Sequence, residues 1–338
     1  MNFKGITLAV LSFVLVAVSC SVENDAYMND VNKEMASVSD ADVLLTAKVS
    51  LNAVATKSSD LAGTEDADAI HNCLVFLLNA QDKVVGVTFT DNYTNTWEPK
   101  FMTKVQDGLH ILAIANVNID NFLGCSSLAE IQKQVLNDAS SLPKQGGADV
   151  EFGDFEGSKT TTDVPTFTLS NPIVLKQIAA RVELKSFQVN YVGGDQATEK
   201  PAVQLTSVEL INAKTNAYLF GEYSVCDENH ISLLNGTMEP ASGYSNIGAW
   251  VFQNQSSAPT KLRINFAVGG VERSDYYREY VINPDGAKTT GHTQILPGYI
   301  YRLNVTINVD KKVPAFDLNI NWQVVNMETI NVNVADFD

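Results

Sequence analysis

Apolar residues recur at every second position along much of this sequence, the period of a strand that buries one face and wets the other. Val43, Leu45, Ala47, Val49 and Leu51 form the first such series. Cys73–Asn79 and Val84–Thr90, separated by the turn-prone Ala80-Gln81-Asp82-Lys83, read as a hairpin. Gly108–Asn116 is apolar enough to be a strand buried on both faces. Further strands are expected at Ile173–Leu175, Ala180–Val189, Val203–Leu210, Ala217–Phe220, Leu262–Val268, Tyr276–Ile282 and Tyr299–Val309. Near the end, Phe316, Leu318, Ile320, Trp322 and Val324 alternate with Asp, Asn, Asn and Gln, and Ile330, Val332 and Val334 alternate with Asn331 and Asn333. Short strands punctuated by turns predict an all-β fold of two β-sandwich domains.

One helical signal interrupts this pattern. Ser127-Leu128-Ala129-Glu130 has the form of a capping box, and Leu128, Ile131, Val135 and Leu136 fall at helical spacing, which predicts a helix over Leu128–Asp138. One or two short helices are therefore expected. The stretch Pro143–Asn171 is rich in Gly, Thr, Ser and acids, and a new β pattern begins after it. The chain then divides into an N-terminal sandwich over 43–171 and a C-terminal sandwich over 172–338. Its 338 residues are enough for two ordinary cores.

Residues 1–20 read as an export signal. Lys4 supplies a short positive region, and Ile6–Val18 is a 13-residue apolar run, too short to span a bilayer as a helix. The run ends Ala17, Val18, Ser19, Cys20, which resembles a bacterial lipoprotein signal with Cys20 as the lipidated first residue. The other reading is an ordinary signal peptide with a chance cysteine. Residues 21–42 are polar and acidic, the composition of a flexible tether. The reading is of an exported protein held at the membrane by lipid alone.

Charge and motif searches exclude several functions. Lys+Arg is 23 against Asp+Glu 39, a formal charge of −16, which disfavours nucleic acid and anionic membrane surfaces as partners. The three later cysteines, Cys73, Cys125 and Cys226, have no metal-ligand spacing, and Cys73 lies in an apolar run as a small core residue would. His71, His110, His230 and His292 have no partners at ligand spacing. Two acidic clusters, Asp60, Glu65, Asp66, Asp68 and Asp149, Glu151, Asp154, Glu156, lack a calcium-loop frame and read as solvated loops. No catalytic motif is present, so no catalytic residue, metal site or cofactor is assigned, and a structural or binding protein is expected rather than an enzyme.

Three segments carry a resemblance to a family. Gln177–Tyr223, with its ARVEL strand and the pair QLTSVELINAKTNAYLFG, resembles the second domain of the fimbrillins, the fimbrial subunits of Bacteroidales. GLHILAIANVN at 108–118 resembles a strand of their first domain, and the stretch from Gly298 to Asp338 resembles their final strands. The resemblance implies two transthyretin-like β-sandwiches and export as a lipoprotein to the outer membrane and cell surface. It also implies proteolytic removal of the N-terminus with the first strand, and filling of the resulting groove by the C-terminal strand of another subunit.

Onto this chain the resemblance maps residue by residue. The displaced strand is Val43, Leu45, Ala47, Val49 and Leu51, worth on the order of 7 kcal/mol in buried side chains. The donor strand lies at about 326–338, anchored by Ile330, Val332 and Val334, with Phe337 or Met327 as a further, out-of-phase anchor. The plain alternative is that this run is only the last strand of the second domain. The first of five arginines is Arg181, so an arginine-specific cut after the first strand is impossible; Lys57 stands at the matching place, while Lys48 would lie inside the strand. The implied partners are other fimbrial subunits, anchor and tip proteins, a processing protease, and the outer membrane before processing. Without processing the protein would be a lipid-retaining anchor. A different class of function also fits the residues: a monomeric surface lipoprotein binding a glycan or host protein on a platform of Tyr93, Trp97, Trp250, Tyr276 and Tyr277.

Overall fold

The computed structural model describes residues 43–51, 69–94, 96–158, 163–193, 200–220, 228–242, 244, 247–254, 258–282, 295–310 and 316–326, the last of these as backbone. The first half carries β1 (Val43–Thr46), β2 (Val49–Leu51), β3 (Cys73–Leu78), β4 (Val84–Thr90), β5 (Lys100–Thr103), β6 (Leu109–Ala115), helix α1 (Leu128–Ile131), β7 (Val135–Leu136), β8 (Lys144–Val150), β9 (Thr166–Thr168) and β10 (Ile173–Gln177). The second half carries β11 (Ala179–Val192), β12 (Val203–Lys214), β13 (Ala217–Tyr218), β14 (Glu228–Met238), β15 (Ala241–Ser242), β16 (Gly248–Phe252), β17 (Lys261–Val268), β18 (Val271–Val281), β19 (Tyr299–Asp310) and β20 (Phe316–Asn326). The expected all-β architecture with little helix is what the chain adopts.

The first sandwich faces a three-stranded sheet, β5-β1-β9, with a six-stranded sheet, β2-β10-β8-β6-β3-β4. Leu45, Val75, Leu77, Leu109, Ile111 and Ile173 are fully buried between them. In the second half β14, β12, β17 and β18 form one layer and β15, β16, β11, β19 and β20 the other, joined through the pair Lys214↔Phe252. Val182, Leu184 and Phe187 of β11, Tyr301 and Leu303 of β19, and Leu210 of β12 are buried in the core between those layers.

A third core joins the halves. The second face of β3 and β6 packs Leu74, Phe76 and Ile114 against Phe122 and Ile131, and against Ala217, Leu219 and Phe252 of the second half. This is why β3 is buried at all six positions. The link is also a ladder, because β7 pairs with β13 through Leu136↔Ala217 and Val135↔Tyr218.

That ladder corrects the expected helix over Leu128–Asp138. The helix stops at Ile131, because Val135 and Leu136 leave it to pair across the junction. Its cap also differs. Glu130 accepts from the Ser126 amide (2.7 Å) and hydroxyl (2.9 Å), while the Ser127 side chain makes no cap bond. The expected boundary near residue 172 moves as well. Ile173–Gln177 runs parallel to β2 and antiparallel to β8 in the first sheet, so sheet membership changes at Ile178. The alternation of Ile173 and Leu175 belongs to the old core, not to a new one.

Register in the second half is fixed by a buried charge cluster. Glu183 on β11 is opposite Arg302 on β19. Its carboxylate accepts from Arg302 Nε at 2.8 Å and from Arg181 Nε at 3.1 Å, with Lys185 Nζ at 3.3 Å; Arg181 also lies over the Trp250 ring. Burial pushes the Glu183 carboxyl up, and the bonds from Arg181 and Arg302 more than offset this, holding it below the usual carboxylate range. A depressed folded-state value stabilises the fold above the unfolded value and is lost as pH falls through and below the ordinary carboxylate range. Glu183→Gln is therefore expected to cost about 3 kcal/mol at pH 7 by leaving buried cations uncompensated. The difference from the parent should shrink below pH ~4, where the parent's own carboxylate protonates. Urea denaturation of both proteins at pH 7 and pH 3 checks it, and an unchanged gap would contradict the assignment.

Candidate functional site: a strand slot in the first sandwich

The residues expected to form a displaceable strand occupy one continuous slot. Val43, Leu45, Ala47 and Val49 are buried and Leu51 is half-buried. The segment does not stay in one sheet, however. β1 lies between β5, antiparallel to it, and β9, parallel to it; at Ala47-Lys48 the chain crosses over, and β2 then joins the other sheet beside β10. The segment from β9 to β10 crosses with it, side by side and in the same direction. The exposed Lys48 marks the crossing, and its 3.9 Å approach to Glu98 is solvent-exposed and worth little.

Main-chain bonds hold the segment throughout. Leu44 N donates to Pro165 O (2.9 Å), Leu169 N to Thr46 O (2.9 Å) and Ile173 N to Lys48 O (2.7 Å). Thr46 is buried against the simple alternation, because its hydroxyl meets that of Thr168 at 2.9 Å. The Tyr93 hydroxyl donates to Val49 O at 2.6 Å. Among the described strands, β1 is the sole ladder partner of both β5 and β9. Phe101 of β5 is buried in the core that this sheet covers.

Leu51 and Ala69, the described residues flanking 52–68, lie at one end of the sandwich. The register partner of Leu51 is Leu175. The chain returns at Ala69, whose carbonyl accepts from Asn116 Nδ2 (2.9 Å) and Lys144 Nζ (3.3 Å). Asn116 also accepts from His71 N at 2.8 Å and sits at φ 57, a left-handed conformation that asparagine tolerates. Sequence reasoning did not single out Asn116 or Lys144, and it named Tyr93 only as part of an aromatic platform. Only the polar asparagine closing the apolar run GLHILAIAN could have signalled one of them.

Other expected site residues fall elsewhere. Cys20, Lys57, Ile330, Val332, Val334 and Phe337, with Met327, lie outside the described residues. Cys73 and Cys125 are buried free thiols, and burial pushes Cys73 up to about 12. His110 on β6 meets Asp149 on β8 at 2.5 Å. Among the described residues no group of three or more His, Cys, Asp or Glu side chains is placed to hold a metal.

The five aromatics of the suggested glycan platform are not brought together. Tyr93 and Trp97 pair edge-to-face at the rim of the first core, and Trp250 lies under Arg181 at the junction. Tyr276 stacks on Phe266, while Arg263 lies over the exposed Tyr277. Neighbouring residues in a strand point to opposite faces, which separates the last two.

An all-β chain of two joined sandwiches, the first closed by its own N-terminal strand, is the class these features define. Solved structures share that fold. A proposed cell adhesion protein from Parabacteroides distasonis matches with TM-score 0.63 at 21% identity, over 86% of this chain and 98% of that one. A fimbrilin from Porphyromonas gingivalis matches with TM-score 0.56 at 15% identity, over 87% and 99%. A proposed cell adhesion protein from Bacteroides eggerthii matches with TM-score 0.55 at 15% identity, over 85% and 96%. No protein-family model matches the sequence, and no curated protein does. The fold expected from the fimbrillin resemblance is the fold of the chain.

Proposed function

We propose that the protein is a structural subunit of a surface fimbrium, exported as a lipoprotein through Cys20 and polymerising by strand exchange. Cleavage after Lys57 releases the segment carrying Val43, Leu45, Ala47, Val49 and Leu51. The C-terminal strand of another copy, through Ile330, Val332, Val334 and Phe337, takes its place. The observation that carries this reading is the position of β1, the central strand of a sheet whose other two strands have no other ladder partner among the described strands. A groove so opened has unpaired edges on both sides and an apolar floor, the combination that strand addition satisfies. The fimbrial and adhesion proteins that share the fold support the same reading. A shaft role suits a subunit with both a groove and a tail, with anchor and tip proteins as further partners at the outer membrane.

Limited trypsin treatment of the full chain tests it. Boiling-resistant ladders on a gel are expected, with Ser58 as the new N-terminus by sequencing, and deletion of residues 327–338 should abolish the ladders. Treated material that stays a single band with or without the tail would refute strand exchange.

A further inference from the structure

The far end of the slot holds an unmet hydrogen-bonding group. Gln177 is 8% exposed, and neither its Nε2 nor its Oε1 has a hydrogen-bond partner in the protein. It shares the inner face of β10 with the buried Ile173 and Leu175. It also ends a row across the sheet: Cys73 opposite Ala115, Ala115 opposite Lys144, and Lys144 opposite Gln177. The described ladder of β2 on β10 runs as far as Leu51↔Leu175, and β10 itself runs on to Gln177. Within the protein this buried amide has no hydrogen-bond partner, and such groups are expensive and call for an explanation.

The missing partner has a chemistry. Gln177 Nε2 needs an acceptor oxygen, and Lys144, its register partner on β8, is buried beside it. Residues 327–338 carry three carboxylates, Glu328, Asp336 and Asp338, and no basic side chain. Two of these keep the phase of the apolar run: Glu328 comes two residues before Ile330, and Asp336 two after Val334. Whichever way the run enters the slot, it brings a carboxylate in phase to the Gln177 end.

We propose that Gln177 is the recognition residue at the end of the slot, donating to a carboxylate of the C-terminal segment of a second copy that enters there. This rests on the strand-exchange reading above. The amide has no partner within one copy and the incoming strand satisfies it, so the exchange is driven forward and only a tail with an in-phase acceptor is favoured.

The test uses the full chain with Gln177→Leu, and Gln177→Met in case leucine packs poorly. Before processing, the variant should melt at a higher temperature than the parent, because an unpaired buried amide has been removed. After limited trypsin treatment its polymer should exchange subunits about tenfold faster, because the bond to the incoming carboxylate is lost. Either Glu328→Ala or Asp336→Ala should weaken the parent polymer similarly and add nothing in the Gln177→Leu background, and the one that does so reports the strand's direction. A lower melting temperature in both variants, an unchanged polymer, or tail effects that persist in the Gln177→Leu background would each overturn the inference. If the parent forms no polymer, strand exchange itself fails and this goes with it. If the parent polymerises and Gln177→Leu matches it, only the role of Gln177 fails.

Discussion

A chain that begins at residue 52 will not hold its first sandwich as a monomer. Val43, Leu45 and Val49 are buried to 4% exposure or less. At ~1.5–3 kcal/mol for each such side chain, their loss removes on the order of 5–9 kcal/mol before any hydrogen bond is counted. That equals most of the ~5–15 kcal/mol by which a typical domain is stable. The backbone loss compounds it, since β5 and β9 keep no ladder partner among the described strands. The second sandwich has its own core and does not depend on this segment. The expected outcome is partial: large species on size exclusion, strong binding of a hydrophobic dye, and a surviving thermal transition from the second half. Adding a synthetic peptide of residues 43–51 should return the truncated chain to a monomer. A truncated chain that is already monomeric, with the melting curve of the parent, would show that the slot is not held open by the loss of its strand.

Much of this was legible because the period of a half-buried strand writes itself into sequence. The series from Val43 to Val49, the apolar run of β3, and the alternations of β11, β12, β17 and β19 all appear where expected. What was hidden has physical reasons. The crossover at Lys48 keeps the period unbroken while the chain changes sheet, so alternation alone could not reveal that one strand serves two sheets. The helix was over-extended because Val135 and Leu136 answer to β13, distant in sequence, through Leu136↔Ala217 and Val135↔Tyr218. Glu183 and Arg302 occupy strand positions where charge reads as solvent-facing, and only their mutual pairing allows burial. The orphaned amide of Gln177 follows two apolar residues in phase, and nothing in the sequence shows that its side chain lacks a partner. The bland reading of Cys73 as a small core residue fits its burial.

The least legible strand supports the sharpest stability prediction. β8 reads Lys-Gln-Gly-Gly-Ala-Asp-Val, with adjacent glycines and no apolar alternation, yet it lies between β10 and β6 in the middle of its sheet. The glycines are there because other chain comes too close for side chains. A Cβ on Gly146 would overlap the carbonyl oxygen of Val174 and lie 3.0 Å from its carbon, and these are backbone atoms that no rotamer change can move. In an ordinary strand, replacing glycine by alanine gains roughly 0.5–1 kcal/mol. At Gly146 the sign should reverse, with a loss of about 3 kcal/mol, the upper end for overpacking, because β10 must lift from β8. Gly147 is the control. Its Cβ would come 3.0 Å from the Leu112 side chain and 3.1 Å from the Ile111 carbonyl oxygen, so Gly147→Ala should cost less, about 1 kcal/mol, as the leucine turns aside. Chemical denaturation of the two single variants decides it, and equal effects would mean that the approach of β10 to β8 is looser than described. Since β10 also carries the ladder of β2, Gly146→Ala should in addition loosen the resident strand, and trypsin should release the segment 43–51 sooner in that variant than in Gly147→Ala.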